Sequence, residues 1–256
     1  MSGHDWVEEL TREFDQPESA VQARIWADVL GDEYPAELAP YSYTTRSELQ
    51  FIADALAVGG GDVLVDIGCG RGGPGLWVAA TTGARYVGID IAASALAAVA
   101  RRAERLGLSM RVRAVEGSFG SLPLDDAEAD AVMSIDALLF APDKATAVAE
   151  MVRVLRPGGR LVATTWDYHA QPVGRPRQVA DHRPLLADAG LEVEVYDETV
   201  DWDQRQRAIA ARLLDSVDEL ANESGEDPGI VRQGLEEMAA TQDTMSRRVL
   251  IVARRR

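Results

Sequence analysis

Asp62-Val-Leu-Val-Asp-Ile-Gly-Cys-Gly-Arg-Gly-Gly-Pro-Gly-Leu-Trp-Val78 is the stretch on which the rest of the chain is organised. Val63, Leu64, Val65 and Ile67 form a short apolar run, the pattern of a strand covered on both faces. It runs directly into Gly68-Cys-Gly-Arg-Gly-Gly73, then Pro74, then a helical pattern carried by Leu76, Val78 and Ala79. Glycine lets the backbone turn sharply and approach a ligand where a side chain would collide. Pro74 suits a first helical turn, where its missing N–H has no intrahelical partner to lose. The segment therefore predicts a strand, a Gly-rich turn and a helix N-terminus in succession.

That succession is the nucleotide-binding arrangement of a Rossmann-like sheet. The spacing also fits G-x-G-x-x-G, which admits a dinucleotide. The next strand, Ala84-Arg-Tyr-Val-Gly-Ile-Asp90, ends on an acid placed to accept hydrogen bonds from ribose hydroxyls. NAD enzymes and methyltransferases share that device, so Asp90 alone does not separate them. Asp66 does: Asp66-Ile-Gly-Cys-Gly-Arg-Gly72 resembles the D/E-x-G-x-G-x-G signature of class I S-adenosylmethionine-dependent methyltransferases. A second segment, Gly117-Ser-Phe-Gly-Ser-Leu-Pro-Leu-Asp-Asp126, resembles that family's adenine-wrapping G-D-A-x-x-L-P-F-x-D, with Ser118 where the family usually has an acid. A hydroxyl accepts one hydrogen bond, more weakly than a carboxylate. Leu155-Arg-Pro-Gly-Gly-Arg-Leu-Val162 is a further family signature and reads as a tight turn into a strand.

The resemblance covers roughly residues 60–200 and the final strand, and is most like bacterial methyltransferases acting on small molecules, including secondary metabolites. It implies an α/β fold: a Rossmann-like, seven-stranded, mostly parallel sheet with helices on both faces and the last strand antiparallel. It implies S-adenosyl-L-methionine as cofactor, with S-adenosyl-L-homocysteine as product. The backbone at Gly68, Cys69 and Gly70 would take the methionine end, Asp66 its ammonium and Asp90 the ribose. Pro74, Ile91, Ser118, Phe119 and Ile135 complete the expected cofactor side, with Phe119 lying against the ring or serving as ordinary core.

Beyond the strand Ala129–Ser134, the chain has Asp136, Leu139 and Phe140 where related enzymes often carry histidines. Strand ends on the carboxyl side of such a sheet line the ligand crevice. Asp136 is accordingly a base, a hydrogen-bond anchor or a turn cap. The following strand ends in Thr164-Thr-Trp-Asp-Tyr-His169, making Trp166, Asp167 and His169 candidates on the acceptor side. Asp136, Asp167 and His169 are the candidate catalytic groups; Tyr43, Leu139 and Trp166 the substrate-side ones. The histidines His4, His169 and His182 and the single Cys69 give no metal-ligand spacing, so no metal is expected.

Residues 1–58 read as a helical cap. Trp6, Val7, Leu10 and Phe14 repeat at helical spacing, Ser19 to Gly31 is a second helix, and roughly Thr45–Ala57 a third. The loop between the last two carries Tyr34, Tyr41 and Tyr43, either as packing or as a lid. The methyltransferase core spans 59–256 in one compact unit. It contains a helix near Arg177–Ala189, an alternating strand at Leu191–Tyr196 and a helical insertion at 203–246 with two helices. That insertion covers the acceptor site or forms a dimer surface. Val249–Val252 closes the sheet, and Arg254, Arg255 and Arg256 read as a solvated tail.

Composition narrows the partners. The 256 residues are 46% hydrophobic and carry a net charge of -16, a field that opposes phosphate backbones. No nucleic-acid partner is expected, and Ser134-Ile-Asp-Ala137 stands where an adenine-methylating enzyme would carry Asn/Asp-Pro-Pro-Tyr/Phe. One cysteine excludes an internal disulfide and suits a reducing cytoplasm. The N-terminus lacks a basic-then-apolar leader, and no apolar run is long enough to span a bilayer, so no membrane association is expected. The expectation is a cytoplasmic monomer or homodimer that moves a methyl group to an O, N or C atom of a small-molecule acceptor by in-line displacement. A methyltransferase-fold protein using the cofactor structurally, as a cyclase or binding module, stays open. An NAD(P)-dependent oxidoreductase is disfavoured by Asp66 and by the absence of a Tyr-x-x-x-Lys pair.

Overall fold

The computed structural model describes residues 11, 12, 14–38 and 42–256. Trp6, Val7, Leu10, His4 and Tyr41 lie outside the described residues. The stretch that opens the sequence argument becomes β1 (Val63–Ile67), a glycine turn and α3 (Gly73–Thr82). β2 (Arg85–Asp90), α4 (Ala93–Arg105), β3 (Val112–Glu116), β4 (Ala129–Ile135), α5 (Lys144–Val154) and β5 (Leu155–Tyr168) follow. The chain then forms α6 (Arg183–Asp188), β6 (Leu191–Glu198), three consecutive helices, α7 (Trp202–Asp215), α8 (Val217–Ser224) and α9 (Pro228–Gln242), and β7 (Met245–Arg255). The cap helices are α1 (Ala20–Leu30) and α2 (Arg46–Leu56).

The seven strands run in the order β3-β2-β1-β4-β5-β7-β6. All neighbours from β3 to β5 pair in parallel, while β7 is antiparallel to both β5 and β6. The order reverses between β1 and β4, the topological switch point where open α/β sheets bind ligands. Strand alternation divides the core. Val65, Ile67, Val87 and Leu161 face α5 and α6, whereas Leu64, Tyr86, Val162 and Val252 face α2, α3 and α4. β1, β4 and the middle of β5 are covered on both faces, which is why they read as continuous apolar runs.

Local chemistry accounts for the helix ends. Ser19 Oγ accepts from Gln22 N–H at the start of α1, Asp143 Oδ1 from Ala145 and Thr146 N–H at the start of α5, and Asp227 Oδ1 from Gly229 N–H before Pro228 of α9. α1 packs through Ile25 on Ile209 and Leu213 of α7 and Leu220 of α8, so cap and insertion form one layer above the carboxyl ends of the strands.

Three expectations need correction. The helix near Arg177–Ala189 shrinks to Arg183–Asp188: the Gln171 amide binds the carbonyls of Pro172, Arg175 and Pro176, fixing the preceding segment as a loop. The insertion holds three helices rather than two, because the chain breaks at Ser216 (φ -106°, ψ 19°). Arg254 and Arg255 are not a tail; β7 runs through both, Arg254 pairing with Glu194 and Arg255 donating to the carbonyl of Val152.

Candidate active site

The glycine turn is built by backbone demands. Gly68, Gly70 and Gly72 have φ of 70°, 50° and 76°, the left-handed region. A Cβ on Gly68 would fall 2.6 Å from Ala137 Cβ, so the turn and the end of β4 approach as closely as the absence of a side chain permits. The N–H groups of Gly68 and Cys69 both donate to Ile89 O (2.8 and 3.1 Å), tying the turn to β2. Asp90 then joins the two loops. Its Oδ2 accepts from Gly70 N–H at 2.8 Å and its Oδ1 from Ala92 N–H at 3.0 Å. Burial raises the Asp90 pKa against the pull of these backbone donors.

A cavity of about 490 Å³ opens at this turn. Asp66, Gly68, Cys69, Gly70, Pro74, Asp90, Ile91, Ser118, Phe119 and Ile135, the residues the sequence singles out for a cofactor, all line it. Asp66 is 2% exposed and pushed up to about 7, mainly by burial, with the Tyr86 hydroxyl opposing at 3.0 Å and Asp90 adding to the rise. Burial also raises the Cys69 thiol, with the carboxylates of Asp66 and Asp90 adding to it. On the other side Phe14, Arg71 and Arg102 close the cavity: the Arg71 guanidinium lies 5.5 Å from the Phe14 ring, and buried Arg102 reaches Glu18 at 2.6 Å.

Of the three candidate catalytic groups, only Asp136 lines the cavity. It sits just past β4 with φ 53°, a left-handed conformation costly for a residue with a Cβ. Its Oδ1 accepts from Thr164 Oγ1 (2.8 Å) and Arg248 Nε (3.0 Å); its Oδ2 accepts from Tyr43 N–H (2.9 Å) and Arg248 Nη2 (3.2 Å). Four donors occupy the roughly four sites a carboxylate offers. The geometry makes Asp136 an anchor that seats Tyr43 and the strap around it.

Arg248 is the residue that sequence reading missed. It is fully buried, faces Trp166 across the β5–β7 ladder, and also binds Glu48 at 2.8 Å and Thr199 Oγ1 at 2.8 Å. Burial alone would lower its pKa, but Asp136 and Glu48 hold it above the ordinary guanidinium value. Two signals pointed to this cluster. An arginine immediately precedes the apolar run of β7, and Thr45-x-x-Glu48 has capping-box spacing. Thr45 does cap α2, accepting from Glu48 N–H, but the Glu48 carboxylate turns to Arg248.

Tyr43, Leu139 and Trp166 come together, although behind the cavity wall rather than on it. Leu139, Trp166, Tyr168 and Trp202 form a buried cluster with Tyr43, Phe140 and Met245 against it. The Tyr43 ring meets Trp166 edge-on at 5.9 Å and stacks on Trp26 of α1 at 5.7 Å. Asp167 and His169 are placed elsewhere. Asp167 points to the opposite sheet face, where it binds His182 Nδ1 (2.8 Å), the Tyr196 hydroxyl (2.8 Å) and Arg247 (2.7 Å). Burial raises the Asp167 pKa, but these partners outweigh it and hold the carboxylate below its usual range. His169 is exposed past the end of β5, its N–H bonded to Thr244 O. Among the described residues no cluster of histidine, cysteine and acidic groups is arranged to hold a metal, and no helix is long and apolar enough to cross a membrane.

Comparison with known proteins agrees with this geometry. Residues 65–163 match the family model described as a methyltransferase domain. The chain is 38% identical over 122 residues to 24-methylenesterol C-methyltransferase 2 of Oryza sativa subsp. japonica, covering 48% of this chain and 34% of that protein. It thus spans about a third of the length of that relative. It is 29% identical over 209 residues to the methyltransferase GfsG of Streptomyces halstedii, covering 75% of this chain and 74% of the other. Among solved structures, the cyclase SpnF aligns with a TM-score of 0.71 at 22% identity, covering 94% of this chain and 98% of that one.

Proposed function

We propose that this chain, whose residues 65–163 match a methyltransferase domain on a Rossmann-like sheet, is a class I S-adenosylmethionine-dependent methyltransferase that transfers a methyl group to an O, N or C nucleophile of a small molecule. The observation that carries the proposal is the pairing of Asp66 and Asp90 in one cavity across a glycine turn that admits no Cβ. The donor set fits the cofactor. Asp90, held by Gly70 and Ala92 N–H, keeps lone pairs for a ribose diol; ionised Asp66 suits an ammonium; Phe119 offers an apolar face. When bound, the cofactor supplies a methyl group on a sulfonium whose positive charge disappears as the methyl leaves.

The protein's own residues then have a limited chemical task. Asp90 and the turn fix one reactant, while the strap anchored by Asp136 and the cluster behind it shape the space for the other. Holding two reactants in line supplies up to about 7–11 kcal/mol of the barrier. Asp136 serves as an anchor, since Tyr43, Thr164 and Arg248 already donate to both of its oxygens. We place the protein in the cytoplasm, where Cys69 stays reduced, acting on secondary metabolites.

Calorimetric titration with S-adenosylhomocysteine tests the proposal, with NAD(H) and NADP(H) alongside, on wild type and Asp90→Ala. The expected result is micromolar binding of the nucleoside alone, weakened on the order of a hundredfold in Asp90→Ala as two hydrogen bonds to a charged group are lost. Binding of a dinucleotide instead, or of neither, sinks it. One observation favours a second reading, in which the cofactor is held without turnover: Asp136 is already engaged by Tyr43, Thr164 and Arg248, and a cyclase shares the fold. Release of S-adenosylhomocysteine in the presence of acceptor separates the two.

A further inference from the structure

Ser118 stands where the resembled family usually has an acid, and the segment around it is tightly closed. Ser118 N–H donates to Ser121 O at 3.4 Å and Ser121 N–H to Ser118 O at 3.1 Å, a small hairpin with Phe119 and Gly120 at its tip. Ser118, Phe119 and Gly120 line the cavity. To a base lying there, Ser118 offers a hydroxyl, a weaker acceptor for an amino group than a carboxylate.

A carboxylate is nevertheless present at the same corner, contributed by a different element. α5 packs its first turns against the hairpin. The Thr146 methyl would lie 3.9 Å from a Cβ on Gly120, and Leu122 N–H donates to Glu150 Oε2 at 2.8 Å. These contacts hold helix and hairpin side by side. Asp143, the N-cap of α5, is exposed to solvent and lines the cavity together with Thr146. Both capping bonds fall on Oδ1, from Ala145 N–H at 2.9 Å and Thr146 N–H at 3.1 Å. A carboxylate has roughly four acceptor sites, so Oδ2 keeps capacity for a ligand. The Thr146 N–H, with the Ala145 N–H and the Thr146 hydroxyl, holds the carboxyl below its usual range against the opposing effect of desolvation.

The other acids of the cavity have different places. Among the described residues, Asp66, Asp90, Asp136 and Asp143 line it. Asp66 and Asp90 belong to the glycine turn and β2, and Asp136 holds Tyr43, Thr164 and Arg248. Asp143 alone is carried by the helix that abuts the hairpin.

We propose that Asp143 accepts a hydrogen bond from the amino group of the cofactor's adenine, replacing from α5 the acid that is missing at Ser118. This assignment rests on the methyltransferase reading above and deepens it, by naming what selects the base. A carboxylate only accepts, so it favours an amino group at C6 of the purine and disfavours an oxygen there.

Titration with S-adenosylhomocysteine and with S-inosylhomocysteine, which carries oxygen in place of that amino group, tests the assignment. Wild type should prefer the adenine nucleoside by about tenfold, the worth of a hydrogen bond to a charged acceptor. Asn and Ser cap helices about as well as Asp, so α5 should persist in Asp143→Asn and Asp143→Ser. In Asp143→Asn the capping oxygen leaves an NH2 group toward the base, and the preference should vanish or reverse. In Asp143→Ser the single oxygen is spent on the cap, and the preference should vanish. The preference is a ratio of two ligands on one folded protein, so a change in stability alone does not move it. Equal binding of both nucleosides by wild type, or an adenine preference that persists in both Asp143 variants, would overturn the assignment. So would loss of the preference in Ser118→Ala alone, which would put the amino group on that hydroxyl. If wild type bound neither nucleoside, the methyltransferase reading itself would fall, and this assignment with it.

Discussion

The two ends of the cavity are made by different means. The cofactor end is written in one short length of chain, residues 62–92, and is mostly backbone: three left-handed glycines, paired N–H groups on Ile89 O, and Asp90 pinned by two further amides. The side proposed to face the acceptor is backed by side chains from β5, β7, α2, α7 and the strap at Ser42–Thr44, joined through Asp136, Glu48 and Arg248. A backbone site tolerates little change in the residues that form it. A side-chain site keeps its place only while its partners remain, and it is free to vary with the acceptor. On the proposed function, the difference would place generic chemistry at one end and specificity at the other.

The harshest way to break this comparison is Arg248→Ala. Glu48 and Asp136, buried with one guanidinium between them, would lose it together. Removing one partner of a buried ion pair costs about 3–5 kcal/mol. Urea denaturation should show a loss of that size. Any folded fraction should still bind S-adenosylhomocysteine within a few-fold of wild type, because no residue of the cofactor end touches Arg248. A stability change under about 1 kcal/mol would mean that the acceptor end is solvated and the ion cluster is not its frame.

The counterpart at the cofactor end is Gly75→Ala. In an exposed helix interior this change stabilises by up to about 1 kcal/mol. Here a Cβ would stand 2.2 Å from Asp66 Oδ2 and 2.4 Å from the Tyr86 ring. The sign should reverse, with a cost of about 1–3 kcal/mol from overpacking. Unlike Arg248→Ala, this variant should lose cofactor affinity more than tenfold, since relief requires Asp66 to move. Stability and affinity should therefore separate between the two variants.

The same contrast explains what could be read in the sequence. Glycines with φ near 70° and a proline at a helix start are demanded by local conformation, so the Gly68–Pro74 turn, its strand and Asp90 were legible; the antiparallel β7 between β5 and β6 came instead from the family resemblance. The acceptor end was not. Arg248 and Glu48 lie 200 positions apart, and no local pattern announces that they meet. Asp167 and Asp136 look alike in sequence as acids near strand ends. The parity of β5 turns Asp167 to the face of α6 and His182, and the left-handed turn after β4 swings Asp136 toward Tyr43. The helix expected over Arg177–Ala189 failed for a related reason, since the Gln171 side chain holds that loop from a distance.

The smallest effect sharpens the comparison through pH. Asp66 is pushed up to about 7, well above the ordinary carboxylate range, chiefly by burial. The folded state therefore holds a proton that the unfolded chain gives up earlier. Stability contributed at this site is greatest below about pH 4, falls as pH rises toward 7, and is level above. Cofactor affinity runs the other way: the ionised carboxylate holds an ammonium far more strongly than the protonated acid does, so binding of S-adenosylhomocysteine should tighten by up to roughly tenfold from pH 6 to pH 8. Asp66→Asn should flatten both trends. Tyr86→Phe, by removing a hydrogen bond that lowers the Asp66 pKa, should shift the binding curve to higher pH. Arg248, held above the ordinary guanidinium value, stays charged throughout this range and adds no slope of its own. An affinity constant across pH 6–8 in wild type would place the ammonium away from Asp66, and the cofactor end would then rest on Asp90 and the glycine turn alone.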